Sequence, residues 1–205
     1  MGGTVQKLLR EVEREARRWA KPFQYILSRI DHELYPLATE QANTLTRENL
    51  ERQLALIDYY LQKDLVVQAV LLAREWMVNW LAWRVGEPNW LKQEVRTGVL
   101  EAVLNAAASN QAVIGEKKQE SEELKKKELK KRKEEIFRLF NSWSEAKEAA
   151  ANLWQQLIRD LRNDVAHCAF RDSVASPKTV KENAEKLRQK LKDLLKPEDS
   201  SGSDI

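Results

Sequence analysis

A chain of 205 residues can form one substantial domain and is too short for two complete ones. Its 42% hydrophobic and 33% charged residues suit a soluble helical protein, and six Gly and five Pro leave little material for the turns of a sheet protein, so the expected class is all-α. A net charge of +3, from 35 basic and 32 acidic residues, excludes an overwhelming cationic field and leaves any nucleic-acid site to local clustering.

Cys168 is the only cysteine, which rules out intramolecular disulfides and makes a reducing, cytoplasmic setting the expectation. No secretory signal is expected at the start, where Leu8 and Leu9 are followed by Arg10, Glu11, Glu13, Arg14 and Glu15. No apolar run reaches membrane-spanning length, so no membrane partner is expected.

In chain order, Val5, Leu8, Leu9, Val12, Ala16 and Trp19 recur at helical spacing and predict a first helix to about Lys21. Pro22 opens a second, whose stripe of Phe23, Ile26, Leu27, Ile30 and Leu34 ends at Pro36. Thr46 offers an N-cap to a helix from Arg47 to Lys63 with Leu50, Leu54, Ile57 and Leu61 inward. Asp64 is read as the cap of the next segment, which runs to about Val85 and stops at Gly86-Glu87-Pro88. Apolar on most of its circumference, that segment is the expected central helix. Trp76, Trp80 and Trp83 lie on it at i, i+4 and i+7, a pattern that could stack bases but is read first as a packed core face.

A further helix is expected from Asn89 to about Ala108, then a loop from Ser109 to Gly115. The stretch from Glu116 to Glu135 carries nine Lys or Arg and seven Glu but only Leu124 and Leu129 as apolar residues. It cannot bury a continuous stripe, so it is read as an exposed charged helix or insertion supported by i, i+4 ion pairs. Lys125, Lys126 and Lys130 within it are candidate contacts to RNA phosphates through sequence-independent attraction. Ile136, Phe137, Leu139, Phe140 and Trp143 restore apolar content, and Ser144 is read as the cap of a helix carrying Ala151, Trp154, Leu157, Ile158 and Leu161. Pro177 opens the last helix, with Val180, Ala184, Leu187, Leu191 and Leu194 as its buried face. One domain is therefore expected over residues 1–196, followed by a disordered tail over 197–205.

At the end of the helix holding Leu161 stands Arg162-Asn163-Asp164-Val165-Ala166-His167. A guanidinium grips phosphate through a bidentate fork, and an imidazole moves protons near neutral pH. Together they suit RNA cleavage by the ribose 2'-hydroxyl, chemistry that requires neither metal nor cofactor. The plain alternative is a helix end, with Arg162 on the surface and His167 complementing the negative pole of the macrodipole. On a continuous α-helix, residues five apart lie about 140° around the axis. Arg162 and His167 therefore do not converge on one atom unless the helix ends between them or a second chain completes the site.

The six residues match the R-N-x-x-x-H pattern of HEPN domains, and the longer stretch from Leu153 to Arg171 resembles the catalytic region of CRISPR-associated CARF-HEPN ribonucleases of type III systems. Leu56-Ile57-Asp58-Tyr59-Tyr60-Leu61, then Gln68-Ala69 and Ala73-Arg74-Glu75, is similar to a second segment of that family, in the expected order. Family members carry a sensor domain that binds cyclic oligoadenylate ahead of the HEPN domain. Here helices begin at once and no Gly-rich strand-to-helix turn is visible, so the chain reads as a stand-alone or excised HEPN domain whose sensor is separate or missing.

The resemblance implies an all-helical HEPN-like bundle and a homodimer in which two motifs face each other. It also implies metal-independent endonuclease activity on single-stranded RNA in CRISPR-linked antiviral defence, yielding a 2',3'-cyclic phosphate and sparing DNA. Arg162 would neutralise the scissile phosphate, His167 would act as general acid or base, Asn163 would orient substrate or the imidazole, and Asp164 would restrain Arg162 or His167 beside the substrate. A HEPN toxin of a toxin-antitoxin pair shares the motif, and an idle helical module for dimerisation or RNA binding is the reading from another class. The apolar Trp-bearing helix is a second reason to expect a dimer, since it carries more apolar surface than a small bundle easily hides. No metal site is expected, because Asp31-His32-Glu33 are consecutive and cannot all face one ion from a helix. Cys168 beside His167 is read as a small buried residue, since adjacent helical side chains diverge by about 100°.

Overall fold

The computed structural model of the chain describes residues 2–19, 26–30, 43–109, 123–157, 161 and 176–196, and holds no strand among them. The elements are α1 (Gly2–Trp19), α2 (Arg47–Gln62), α3 (Val66–Arg84) and α4 (Gln93–Val95), the last running through a π-helical segment (Arg96–Glu101) into α5 (Ala102–Ala108). They are followed by α6 (Glu123–Ser142), α7 (Ser144–Gln155) and α8 (Pro177–Leu194). The class is all-α. The expected tail over 197–205, the loop over 110–115, the start of the charged stretch and His32 lie outside the described residues.

Helix α3 is the axis of the bundle. Trp76, Met77, Val78, Trp80, Leu81 and Ala82 in its second half are fully buried, and it packs against α2, α8 and the π segment. Each of three indoles buries its rings and ties its one donor to another element. Trp76 Nε1 donates to the Leu50 carbonyl (2.9 Å), Trp80 Nε1 to the Leu194 carbonyl (3.2 Å), and Trp154 Nε1 to Asn105 Oδ1 (2.7 Å). The Trp76 and Trp80 face is thus core in a single chain. That matches the reading of the Trp stripe as a packed core face; the exposed apolar residues of α3 are Val67 and Leu71, in its first half.

Local signals explain several boundaries. Thr46 caps α2, its hydroxyl accepting from Asn49 N (3.2 Å). Gly86 ends the α3 turn at φ +61°, a left-handed conformation that costs glycine nothing. Ser176 caps α8 by accepting from Thr179 N (3.1 Å), with Pro177 following in the first turn.

Three boundaries depart from the sequence reading. Asp64 is not the cap of α3; it adopts φ +58° and pairs with Lys181, while Leu65 occupies the cap position without a side-chain bond. Ser144 is the first residue of α7, with Trp143 before it in an extended conformation. The helix expected from Asn89 starts at Gln93, because the buried Glu87 carboxylate bends the preceding turn by accepting from Asn89 N (2.9 Å).

The charged stretch, where described, is part of one helix with the apolar residues that follow it. Ile136 and Phe140 of α6 enter the core, Leu129 is half-buried against it, and Lys127, Lys130 and Lys131 are exposed. Arg132 turns inward and donates from Nε to Glu87 (2.7 Å) and from a terminal nitrogen to Glu135 (3.0 Å). The bond to Glu87 holds the Arg132 pKa above its ordinary value. Helix α6 is pinned to the turn after α3 by a buried carboxylate.

Candidate functional site

Arg162, Asn163, Asp164 and His167 lie outside the described residues, as does Cys168. The frame on both sides of them is described. Ala150, Leu153, Trp154, Leu157 and Leu161 are all buried, a stripe at i, i+3, i+4, i+7 and i+11 that fixes the helix leading to the motif by its inner face. Gln156, Leu157 and Leu161 are wound as π-helix, a form with i→i+5 hydrogen bonds that is frequent at functional sites. On the far side, the capped α8 begins at Pro177.

The two stretches that carry the resemblance meet. The Arg74 guanidinium lies 6.0 Å from the ring centre of Trp154, so the Arg-Glu helix and the helix before the motif are in contact across about 80 positions of sequence. Arg74 and Glu75 also belong to a charged network. Glu75 accepts from Arg74 at one oxygen (2.7 Å) and from Arg96 at the other (2.7 Å), and Arg74 reaches Glu101 (2.6 Å) with its second terminal nitrogen. Arg96 continues to Asn79 Oδ1 (2.9 Å), and Asn79 Nδ2 donates to Gln53 Oε1 (2.9 Å) on α2.

Two guanidinium and two carboxylate groups cancel, so the network positions helices and offers no net charge to a substrate. The π segment makes it possible. Arg96 and Glu101 are five apart and would diverge on an α-helix, but π winding brings such a pair to one face, where together they bracket Arg74 and Glu75. Sequence reasoning noticed Arg74 and Glu75 and missed Arg96, Asn79 and Glu101. Spacing on an ideal α-helix points Arg96 and Glu101 apart, so no local signal could have found them.

Helix α8 ties together α2, the α2–α3 turn and Gln156. Arg188 grips Asp58 of α2 with two nitrogens, Lys181 pairs with Asp64 in the α2–α3 turn, and Lys190 donates to Gln156 (2.7 Å). The carboxylate partners hold Arg188 and Lys181 protonated, raising both pKa values. Of the candidate phosphate contacts, Lys130 stands exposed on α6, while Lys125 and Lys126 belong to that helix with side chains outside those described. None of the three is placed beside the motif by a described contact.

Between α2 and the first half of α3 runs an open groove of about 480 Å³, floored by Leu56, Tyr60, Leu71 and Leu72, with Gln68, Arg74 and Glu75 at its rim. No described helix is long and apolar enough to cross a membrane. Comparison of the chain with protein-family models, with curated proteins and with solved structures finds no match.

Proposed function

We propose that this protein is a HEPN-type, metal-independent endoribonuclease acting on single-stranded RNA as a homodimer in CRISPR-linked defence. The observation that carries the reading is Arg162-Asn163-x-x-x-His167 within the longer family-like stretch Leu153–Arg171. In this scheme Arg162 binds the scissile phosphate through its fork. His167 exchanges a proton with the 2'-hydroxyl or the leaving oxygen, and Asn163 orients the imidazole or the substrate. Attack of the 2'-oxygen on phosphorus breaks the P–O5' bond, leaves a 2',3'-cyclic phosphate and passes the proton to the departing 5'-oxygen. Asp164 restrains the pair, and the exposed Lys130 with Lys125 and Lys126 draws in the RNA backbone.

Two structural facts support the reading. The helix entering the motif is anchored by five buried residues, which is the rigidity a preorganised site needs. It is also π-wound at Gln156, Leu157 and Leu161, a form frequent at functional sites. The test is cleavage of a labelled single-stranded RNA in EDTA, with an equal DNA strand as control. Cleavage to cyclic-phosphate ends is expected, and intact RNA over a range of sequences would refute the assignment.

A further inference from the structure

Among the described residues, two of the exposed apolar surfaces are complementary in kind. The first is on α1, an 18-residue helix whose apolar positions Val5, Leu8, Leu9 and Val12 share one face. Leu8 is 53% and Val12 48% exposed, Val5 and Leu9 are half-buried, and among the described residues α1 adds none to the core and makes no substantial packing against another element. The second is the α2–α3 groove. Its Leu71 is 49% exposed, and Val67, one turn away on α3, is 47% exposed, although residues 76–82 of the same helix are buried.

We propose that α1 of one copy lies in the α2–α3 groove of a second copy, reciprocally. The fit is that of an amphipathic helix in a groove: a stripe at i, i+3, i+4 and i+7 against a floor of three leucines and a tyrosine, with Gln68, Arg74 and Glu75 left at the wet rim. Area selects the reciprocal form. A helix of 18 residues is about 27 Å long and 10–12 Å across, so one face covers about 300 Å². One docking event removes about 600 Å² from water, counting both sides, which falls short of a stable interface. Two related by a twofold axis remove about 1,200 Å², the threshold of standard protein interfaces. The exchange is closed, so it ends at a dimer and does not propagate. It gives the proposed homodimer a surface, and its test does not depend on RNA cleavage.

The test uses the full chain with Cys168 replaced by Ser. One preparation carries Leu8→Cys or Val12→Cys and the other Leu71→Cys, and the two are mixed and mildly oxidised. A disulfide between the two chains is expected for at least one of the α1 positions. Light scattering of the unmodified chain at micromolar concentration is expected to report a dimer. Leu8→Glu with Val12→Glu, or Leu71→Glu alone, is expected to weaken that dimer by at least about tenfold with an unchanged helical spectrum, since all three sites are exposed. A monomer at every concentration, or a dimer indifferent to both sets of substitutions, would overturn the proposal. So would a cross-link that forms only within a chain carrying both cysteines, or α1-dependent partition of a monomer onto phosphatidylserine–phosphatidylcholine vesicles.

Discussion

Glu87 shows how a single side chain sets the geometry around it. Its buried carboxylate accepts from Asn89 N on one oxygen and from Arg132 on the other, so one residue shapes the turn after α3 and seats α6. Replacing Arg132 with Met leaves that charge underground with half its partners, and is expected to cost about 2–4 kcal/mol in chemical denaturation. Loss below about 0.5 kcal/mol would show the pair to be solvated. At the other end of the scale, Thr46→Ala is expected to cost about 1 kcal/mol through loss of the α2 cap. The same change is readable by titration. Glu48, in the first turn, is held below its ordinary 4.5 first by its own backbone N–H, then by the Thr46 hydroxyl. A depressed folded-state value means its stabilising effect is present above the unfolded pKa and fades as pH falls through the folded one. NMR titration of Glu48 is expected to show a value below 4.5 that moves upward in Thr46→Ala. Capping by Thr46 was legible because it reaches only three positions. The fate of Asp64 was not, because Lys181, 117 residues away, draws its carboxylate outward.

At the scale of elements, helical periodicity located most of the buried faces. Leu50, Leu54, Ile57 and Leu61 of α2, and Ala184, Leu187, Leu191 and Leu194 of α8, are buried as their spacing predicts. The π segment was illegible, since its winding follows from the pairing of Arg96 and Glu101 with α3 and from no local preference. Two glycines separate local demand from tertiary shape. Gly86 sits at φ +61° and Gly86→Ala is expected to cost about 1–2 kcal/mol. Gly98, inside the π segment, has open space at its Cβ and no positive φ, so Gly98→Ala is expected to gain about 0.5 kcal/mol, both read from denaturation midpoints. A loss at Gly98 would mean that the π turn needs glycine's freedom. For α6, the anchor is Arg132 and the outward groups are lysines. Changing Lys125, Lys126, Lys127, Lys130 and Lys131 to Gln is therefore expected to leave thermal stability nearly unchanged. The same change is expected to flatten the salt dependence of RNA binding. Binding that is unchanged in low salt would remove α6 from the RNA path.

For the whole molecule, composition was enough for the all-α class, and the apolar circumference of residues 66–84 was enough for a central helix. Which of its faces stays open was not legible, because that depends on how α2 and the π segment flank it in space. The Trp-rich half became core, and the open half faces the groove for which α1 is proposed as the partner. The proposed chemistry rests on one place in the sequence, Arg162 and His167 five positions apart, and the described structure supplies a buried helix before them and a capped helix after them. The most direct measurement is single-turnover cleavage of single-stranded RNA in EDTA by the unmodified chain and by His167→Ala, with helical content checked for both. The account predicts cyclic-phosphate products from the unmodified chain and a rate lower by about 10² to 10⁴-fold in the variant. Equal rates from a properly folded His167→Ala protein would contradict it.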